Sequence, residues 1–111
     1  MLRAVRFTDD DFDKPIIALA IPYTNGTPCN DHVRDLGDLV QREIERAGGK
    51  AIVFGTPVVS DGISMGTEAM KYSLVSRDVI ADSIELMTEG YRVDAVITLS
   101  GCDKTIPAAL M

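Results

Sequence analysis

Three short apolar runs, at residues 16–21, 51–54 and 95–99, alternate with stretches of helical periodicity, and this alternation limits the fold more than any other feature of the sequence. Each run is of strand length and rich in Ile, Val, Leu, Ala or Phe. Between the first two, Val33, Leu36, Val40, Ile44 and Ala47 recur at helical spacing, with Asn30 placed as an N-cap and Gly48-Gly49 as the stop. Between the second and third, Ile80, Ile84, Met87 and Tyr91 form another stripe, for which Ser76 reads as the N-cap, Asp78 lies in the first turn and Gly90 near the end. Strands and helices in this order predict an α/β fold of parallel β-α-β units, with right-handed crossovers and helices on both faces of the sheet.

The remaining segments are punctuation. Residues 1–14 are polar and acidic, 56–66 are too rich in Gly, Pro and Ser to extend an element, and 100–104 turn the chain toward a further helix that Met111 cuts short. Cys29, Asp61 and Cys102-Asp103-Lys104 each follow shortly after a predicted strand. Ligands of open α/β sheets bind outside the carboxyl ends of the strands, so these loops are expected to converge on one site although they are distant in sequence.

The formal net charge of −6, with both signs interspersed, offers no basic stripe for a nucleic-acid backbone. No apolar run approaches the length needed to cross a bilayer, and the amino terminus lacks the regions of a signal peptide. A soluble, intracellular, cytoplasmic protein is expected. Two cysteines in such a chain do not make a disulfide framework. They are either quiet core residues or ligands, and composition and spacing alone favour the core. As ligands, thiolates suit an iron–sulfur cluster or zinc, and aspartate oxygens suit magnesium. A cluster needs more than two protein ligands and no C-x-x-C pair suggests zinc, so part of any such site lies outside these residues.

Five blocks shift that balance. Phe12-Asp13-Lys14-Pro15, Thr27-Pro28-Cys29-Asn30, Ser60-Asp61-Gly62-Ile63-Ser64-Met65-Gly66, Tyr72-Ser73-Leu74-Val75-Ser76-Arg77 with Ile80-Ala81-Asp82-Ser83, and Gly101-Cys102-Asp103-Lys104 occur in the order and approximate spacing of the dihydroxy-acid and sugar-acid dehydratase family, which the chain therefore resembles over nearly its whole length. Thr24, Gly26 and Ala108 depart from the family pattern without removing a ligand. The resemblance implies that residues 1–111 are part of the amino-terminal domain of a larger two-domain enzyme whose carboxyl-terminal domain lies outside this chain.

By the same resemblance, Cys29 and Cys102 match two cluster cysteines, and a third lies beyond Met111. Cys29 points to a 2Fe-2S cluster over 4Fe-4S, with an open iron acting as Lewis acid on the hydroxyl that leaves as water. Asp61 and Asp103 match ligands of Mg2+, and Lys104 matches a lysine carbamylated in the family. An ammonium has no lone pair, so Lys104 can ligate a cation only after that modification. The implied activity is a hydro-lyase converting a 2,3-dihydroxy carboxylic acid to a 2-keto acid in valine and isoleucine biosynthesis, working as a homodimer on a small-molecule substrate. The catalytic base is a serine outside this chain, so no catalytic residue is assigned here and residues 1–111 alone are expected to be inactive.

Two other readings stand beside this one: a sugar-acid dehydratase using the same ligands on an aldonate or phosphogluconate, and a non-catalytic α/β binding module. Without the resemblance, Asp61 would be a turn residue and Asp103-Lys104 an ordinary helix start with an exposed base. His32 is taken as a surface residue on the first helix, and Met65, Met70 and Met87 as packing residues. Ser64 and Ser73 have no general base that would make a nucleophile, and the glycines at 62 and 66 do not form a phosphate loop.

Overall fold

A computed structural model describes all of residues 1–111. Three strands, β1 (Ile16–Pro22), β2 (Lys50–Thr56) and β3 (Ala95–Thr98), form a parallel sheet in the order β2-β1-β3. Four helices accompany them: α1 (Val33–Arg46), α2 (Asp61–Ser64), α3 (Met70–Tyr91) and α4 (Thr105–Leu110). The expected α/β architecture is thus present, with each strand where the apolar runs placed it.

Strand β1 is the centre of the sheet and is covered on both sides. Its side chains alternate, as a period of two requires. Ile17, Leu19 and Ile21 pack with Val40 and Ile44 of α1, whereas Ala18 and Ala20 pack with Phe54 of β2, Ile84 and Met87 of α3, and Val93. The two crossover helices therefore lie on opposite faces. Helix α1 comes close enough at Gly37 that a Cβ there would sit 2.9 Å from Ile21 Cγ2. Gly37 is buried while the predicted stripe residue Leu36 is 38% exposed, so the packed face is turned slightly from the one that apolar spacing alone suggests.

With this strand order, the chain leaves β1 toward one edge and later returns across it to β3. Strands β1 and β3 are neighbours whose following connections run on to different helices, α1 and α4, so their carboxyl ends form a switch point, the position at which open α/β sheets bind ligands. Helix α1 stops where expected. Gly48 takes φ +93°, and the N–H groups of Gly48 and Gly49 bond the carbonyls of Glu45 and Ile44.

Several expectations are corrected. Helix α3 begins at Met70, six residues before Ser76, so Ser76 is no N-cap and Asp78 is not in a first turn; Ser76 is buried and donates to the Ser73 carbonyl at 2.6 Å. Gly90 does lie near the end of α3, as expected, and the left-handed residue that closes the helix is Arg92, at φ 53°. Asn30 does not cap α1, whose first turn begins after His32 with no side-chain cap. The segment after β2 contains the one-turn helix α2, stabilised where Ser64 Oγ donates to the Ser60 carbonyl at 2.7 Å. Met65 is 67% exposed and packs no core. No helix is long and apolar enough to cross a membrane.

The acidic amino-terminal segment folds into two 3-10 turns, Leu2–Val5 and Asp9–Asp13, anchored by Asp11. Its buried carboxylate accepts from Lys14 Nζ at 2.8 Å and from the backbone N–H and hydroxyl of Thr8 at 2.9 and 3.0 Å, and pairs with Lys50 Nζ of β2 at 3.0 Å. Lys14, then Thr8 and Lys50, hold its pKa far below the usual carboxylate range. A carboxyl depressed by folding contributes stability above its unfolded value, about pH 4, and that contribution is lost as pH falls through the folded value. Asp11→Asn is therefore expected to lower stability at neutral pH and to flatten the acid limb of the profile. Thermal midpoints of wild type and variant between pH 7 and pH 2.5 should converge on acidification; a constant gap would contradict this role.

Candidate functional site

The loops after β1, β2 and β3 meet at the carboxyl end of the sheet. Gly101, just past β3, lies against the backbone of the loop after β1: a Cβ on Gly101 would lie 2.2 Å from the Cys29 carbonyl oxygen and 3.6 Å from His32 Cε1. The φ of Gly101 is not in the left-handed region, so glycine is required there for close approach rather than for conformation. Cys102 and Cys29, 73 positions apart in sequence, are thus carried by loops in direct backbone contact. Cys102 is buried and Cys29 exposed, and they form no disulfide.

Thr105, the first residue of α4 and 1% exposed, fixes the Cys102 turn. The N–H groups of Gly101 and Cys102 donate to its Oγ1 at 3.2 and 3.1 Å, and that hydroxyl lies 3.2 Å from the Cys102 carbonyl, to which it donates. On the facing loop, Asn30 is fully buried. Its Nδ2 donates to the Pro22 carbonyl at 2.8 Å, tying the loop back to the end of β1, and its Oδ1 accepts no hydrogen bond from the chain. Buried polar atoms are normally paired, and this acceptor, one residue from Cys29, is the buried side-chain polar atom of the chain without a partner.

The third loop, after β2, brings the Asp61 carboxylate to Lys104 and Asp103 of the Cys102 turn. Lys104 Nζ donates to Asp61 Oδ2 at 2.5 Å and to Asp103 Oδ2 at 2.8 Å. Lys104 is 7% exposed, which overturns the ordinary helix start with an exposed base. Asp103, then Asp61, push its pKa up, and Lys104, more than any other neighbour, holds the Asp103 carboxyl at about 2. The Cys102 thiol donates to Asp103 Oδ1 at 3.2 Å; burial first, and then Asp103 and the nearby Cys29, push its pKa up, against the Lys104 backbone N–H, which lowers it. On the far side, the Ser73 hydroxyl donates to Asp61 Oδ1. A continuous series of polar contacts therefore runs from Ser73 on α3 through Asp61, Lys104 and Asp103 to Cys102.

Two carboxylate oxygens from different loops thus converge on one positive charge, an arrangement suited to a hard cation once the ammonium is converted to an oxygen donor. Nowhere do three His, Cys, Asp or Glu side chains gather closely enough to hold an ion by themselves. Beside Asp61, a cavity of about 310 Å³ lies between the loops after β1 and β2, lined by Thr24, Thr27, Ser60 and Ser64 and by the apolar Val58, Val59 and Ile63. The sequence reading missed three residues of this site: Ser73, Thr105 and the contact role of Gly101. Thr105 stands three residues after Cys102, the spacing at which a hydroxyl satisfies a preceding turn, and that spacing was its available signal.

Residues 14–111 match the family described as dihydroxy-acid/6-phosphogluconate dehydratase, N-terminal. The chain belongs to this dehydratase family. Curated relatives align over its full length: "Dihydroxy-acid dehydratase" of Crocosphaera subtropica at 56% identity, the protein of that name from Synechocystis sp. at 54%, and "Dihydroxy-acid dehydratase 2" of Pseudoalteromonas translucida at 51%. In each, the aligned region is 20% of the relative, so the chain spans about a fifth of the length of the dehydratases it matches.

Proposed function

We propose that residues 1–111 are the amino-terminal part of a longer cytoplasmic, homodimeric hydro-lyase that dehydrates a 2,3-dihydroxy carboxylic acid to a 2-keto acid in valine and isoleucine biosynthesis. In this reading Cys29 and Cys102 hold an iron–sulfur cluster of the 2Fe-2S type, while Asp61, Asp103 and a carbamylated Lys104 hold Mg2+. The observation that carries it is the meeting of three loops at the carboxyl ends of the strands, which brings two thiols and two carboxylates to one end of the sheet. The donor set fits: soft sulfur on one side, hard oxygen on the other, with the buried Asn30 acceptor open between strand end and Cys29. When bound, these groups supply Lewis acidity toward a departing hydroxyl and a substrate carboxylate.

The residues of this chain would prepare the site rather than move the protons. Gly101 allows the two cysteine loops to touch, Thr105 and Asn30 fix their turns, and the Asp61–Lys104–Asp103 group concentrates negative charge where a cation enters. The cavity beside Asp61, with hydroxyl-bearing residues and three branched alkyl side chains, suits a small hydroxy acid bearing a short apolar substituent. Val96 and Ile97 of β3 and Tyr72, Leu74 and Val75 of α3 are more than a third exposed, consistent with surfaces that the remaining domain covers.

The names of the aligned relatives favour a dihydroxy acid over a sugar acid. Turnover of 2,3-dihydroxyisovalerate and of aldonates by the full-length enzyme tests the assignment. Dehydration of the dihydroxy acid with little activity on aldonates is expected; activity on aldonates alone would transfer the protein to the sugar-acid branch.

A further inference from the structure

Ser73 is fully buried on α3, yet its sequence neighbours Tyr72, Leu74 and Val75 are 71%, 51% and 57% exposed. A hydroxyl has thus taken the inward position that an alkyl side chain would ordinarily fill. A helical serine usually satisfies its hydroxyl on the carbonyl one turn back, as Ser83 does with Val79 at 2.6 Å. Ser73 instead donates across to Asp61 Oδ1, twelve residues away at the start of α2, while Asp61 Oδ2 faces Lys104.

From this geometry we infer that Ser73 is a positioning residue for magnesium, acting through Asp61 and resting on the assignment of Asp61 as a magnesium ligand. Magnesium demands near-ideal octahedral geometry, and a carboxylate offering both oxygens has too narrow a bite for two adjacent octahedral positions. The ligand must be held to one oxygen. By occupying Oδ1, Ser73 leaves Oδ2 as the single oxygen presented to the cation and stops the carboxylate rotating about its last bond. Hydrogen-bond partners of this kind typically contribute tenfold to a hundredfold to metal affinity. The Asp61 backbone is held separately, through the bond from Ser64 Oγ to the Ser60 carbonyl, so the Ser73 hydroxyl acts on the carboxylate alone.

The test is calorimetric titration of the full-length, cluster-loaded enzyme with magnesium chloride after chelation, with iron content and thermal midpoint in EDTA as measures of folding. Ser73→Ala is expected to raise the magnesium Kd at least about tenfold with iron content unchanged. Ser73→Cys, of nearly the same shape but a weaker donor, should fall between. Ser76→Ala, on the same helix and also buried but bonded only to backbone, should leave the Kd unchanged. Asp61→Asn separates the two levels: wild-type affinity there would overturn the assignment of Asp61 itself. Loss in Asp61→Asn together with wild-type affinity in a folded Ser73→Ala would overturn the role of Ser73 alone. Should Ser73→Ala not fold, wild-type affinity in Ser73→Cys would do the same.

Discussion

Gly101→Ala is expected to strip the full-length enzyme of most of its iron while leaving the rest of the protein folded. The added carbon would sit 2.2 Å from the Cys29 carbonyl oxygen, closer than real Cβ atoms come to any neighbour, and both partners are backbone rather than the free end of a side chain. The loops after β1 and β3 must therefore part. Forcing extra volume into packed structure typically costs about 1–3 kcal/mol. The larger effect is geometric, because two ligands that must reach one cluster are displaced from each other. Gly90→Ala supplies the control. A Cβ there meets nothing within 4 Å, and alanine in a helix interior is favoured by about 1 kcal/mol over glycine. It should keep its iron and gain slightly in thermal midpoint. Full iron retention in Gly101→Ala would mean that the contact between the loops is not needed to assemble the site.

Lys104 gives the second large effect, and two substitutions divide its roles. Lys104→Met removes the positive charge that Asp61 and Asp103 share, leaving two carboxylates facing each other. Removing one member of a buried pair costs about 3–5 kcal/mol, but the Asp103 side chain is 65% exposed and screened by water, so a loss of about 1–3 kcal/mol is expected. Lys104→Arg keeps the charge and can keep both ion pairs, yet a guanidinium has no lone pair and is not converted to a carbamate. It should recover much of the stability and none of the magnesium binding. Thermal midpoints in EDTA and magnesium titrations of both variants check the division; magnesium bound by Lys104→Arg with wild-type affinity would remove Lys104 from the ligand set.

Much of this was legible in the sequence, and the failures fall in a pattern. Strands β1, β2 and β3 follow from apolar runs of strand length, and β1, at the centre of the sheet, is buried on both faces, with Ala18, Leu19 and Ala20 all but inaccessible, whereas Val96 and Ile97 of the edge strand β3 are exposed. Helix α1 and its stop at Gly48 follow from spacing and from a left-handed φ that glycine adopts without strain. The start of α3 was misplaced because its first turns invert the usual pattern: Ser73 and Ser76 face inward, and Tyr72, Leu74 and Val75 outward. Apolar periodicity cannot register a helix whose buried face is polar; here Ser73 is committed to Asp61 and Ser76 to the Ser73 carbonyl. Asn30 was misread for a related reason, since it looks like a cap yet is committed to the Pro22 carbonyl beside Cys29. Local rules thus fail where the site imposes its own requirements.

For the site, position after a strand predicted that Cys29, Asp61 and the Cys102 turn would converge, and the backbone contact at Gly101 and the pairing of Asp61 with Lys104 bear out that convergence. What spacing could not reveal were the residues that act by contact alone. Gly101 carries no distinctive chemistry, and only the strand order β2-β1-β3, which sets β3 beside β1, brings it against Cys29, while Ser73 and Thr105 find Asp61 and the Cys102 turn close by in sequence.

The most direct measurement is the iron and acid-labile sulfide content of the full-length protein prepared anaerobically, compared with Cys29→Ser and Cys102→Ser. The account predicts a brown wild-type protein containing both elements and a loss of both in each variant, because either loop supplies a ligand to the same cluster. A colourless, iron-free wild type, or full iron retained when Cys29 or Cys102 is replaced, would contradict it.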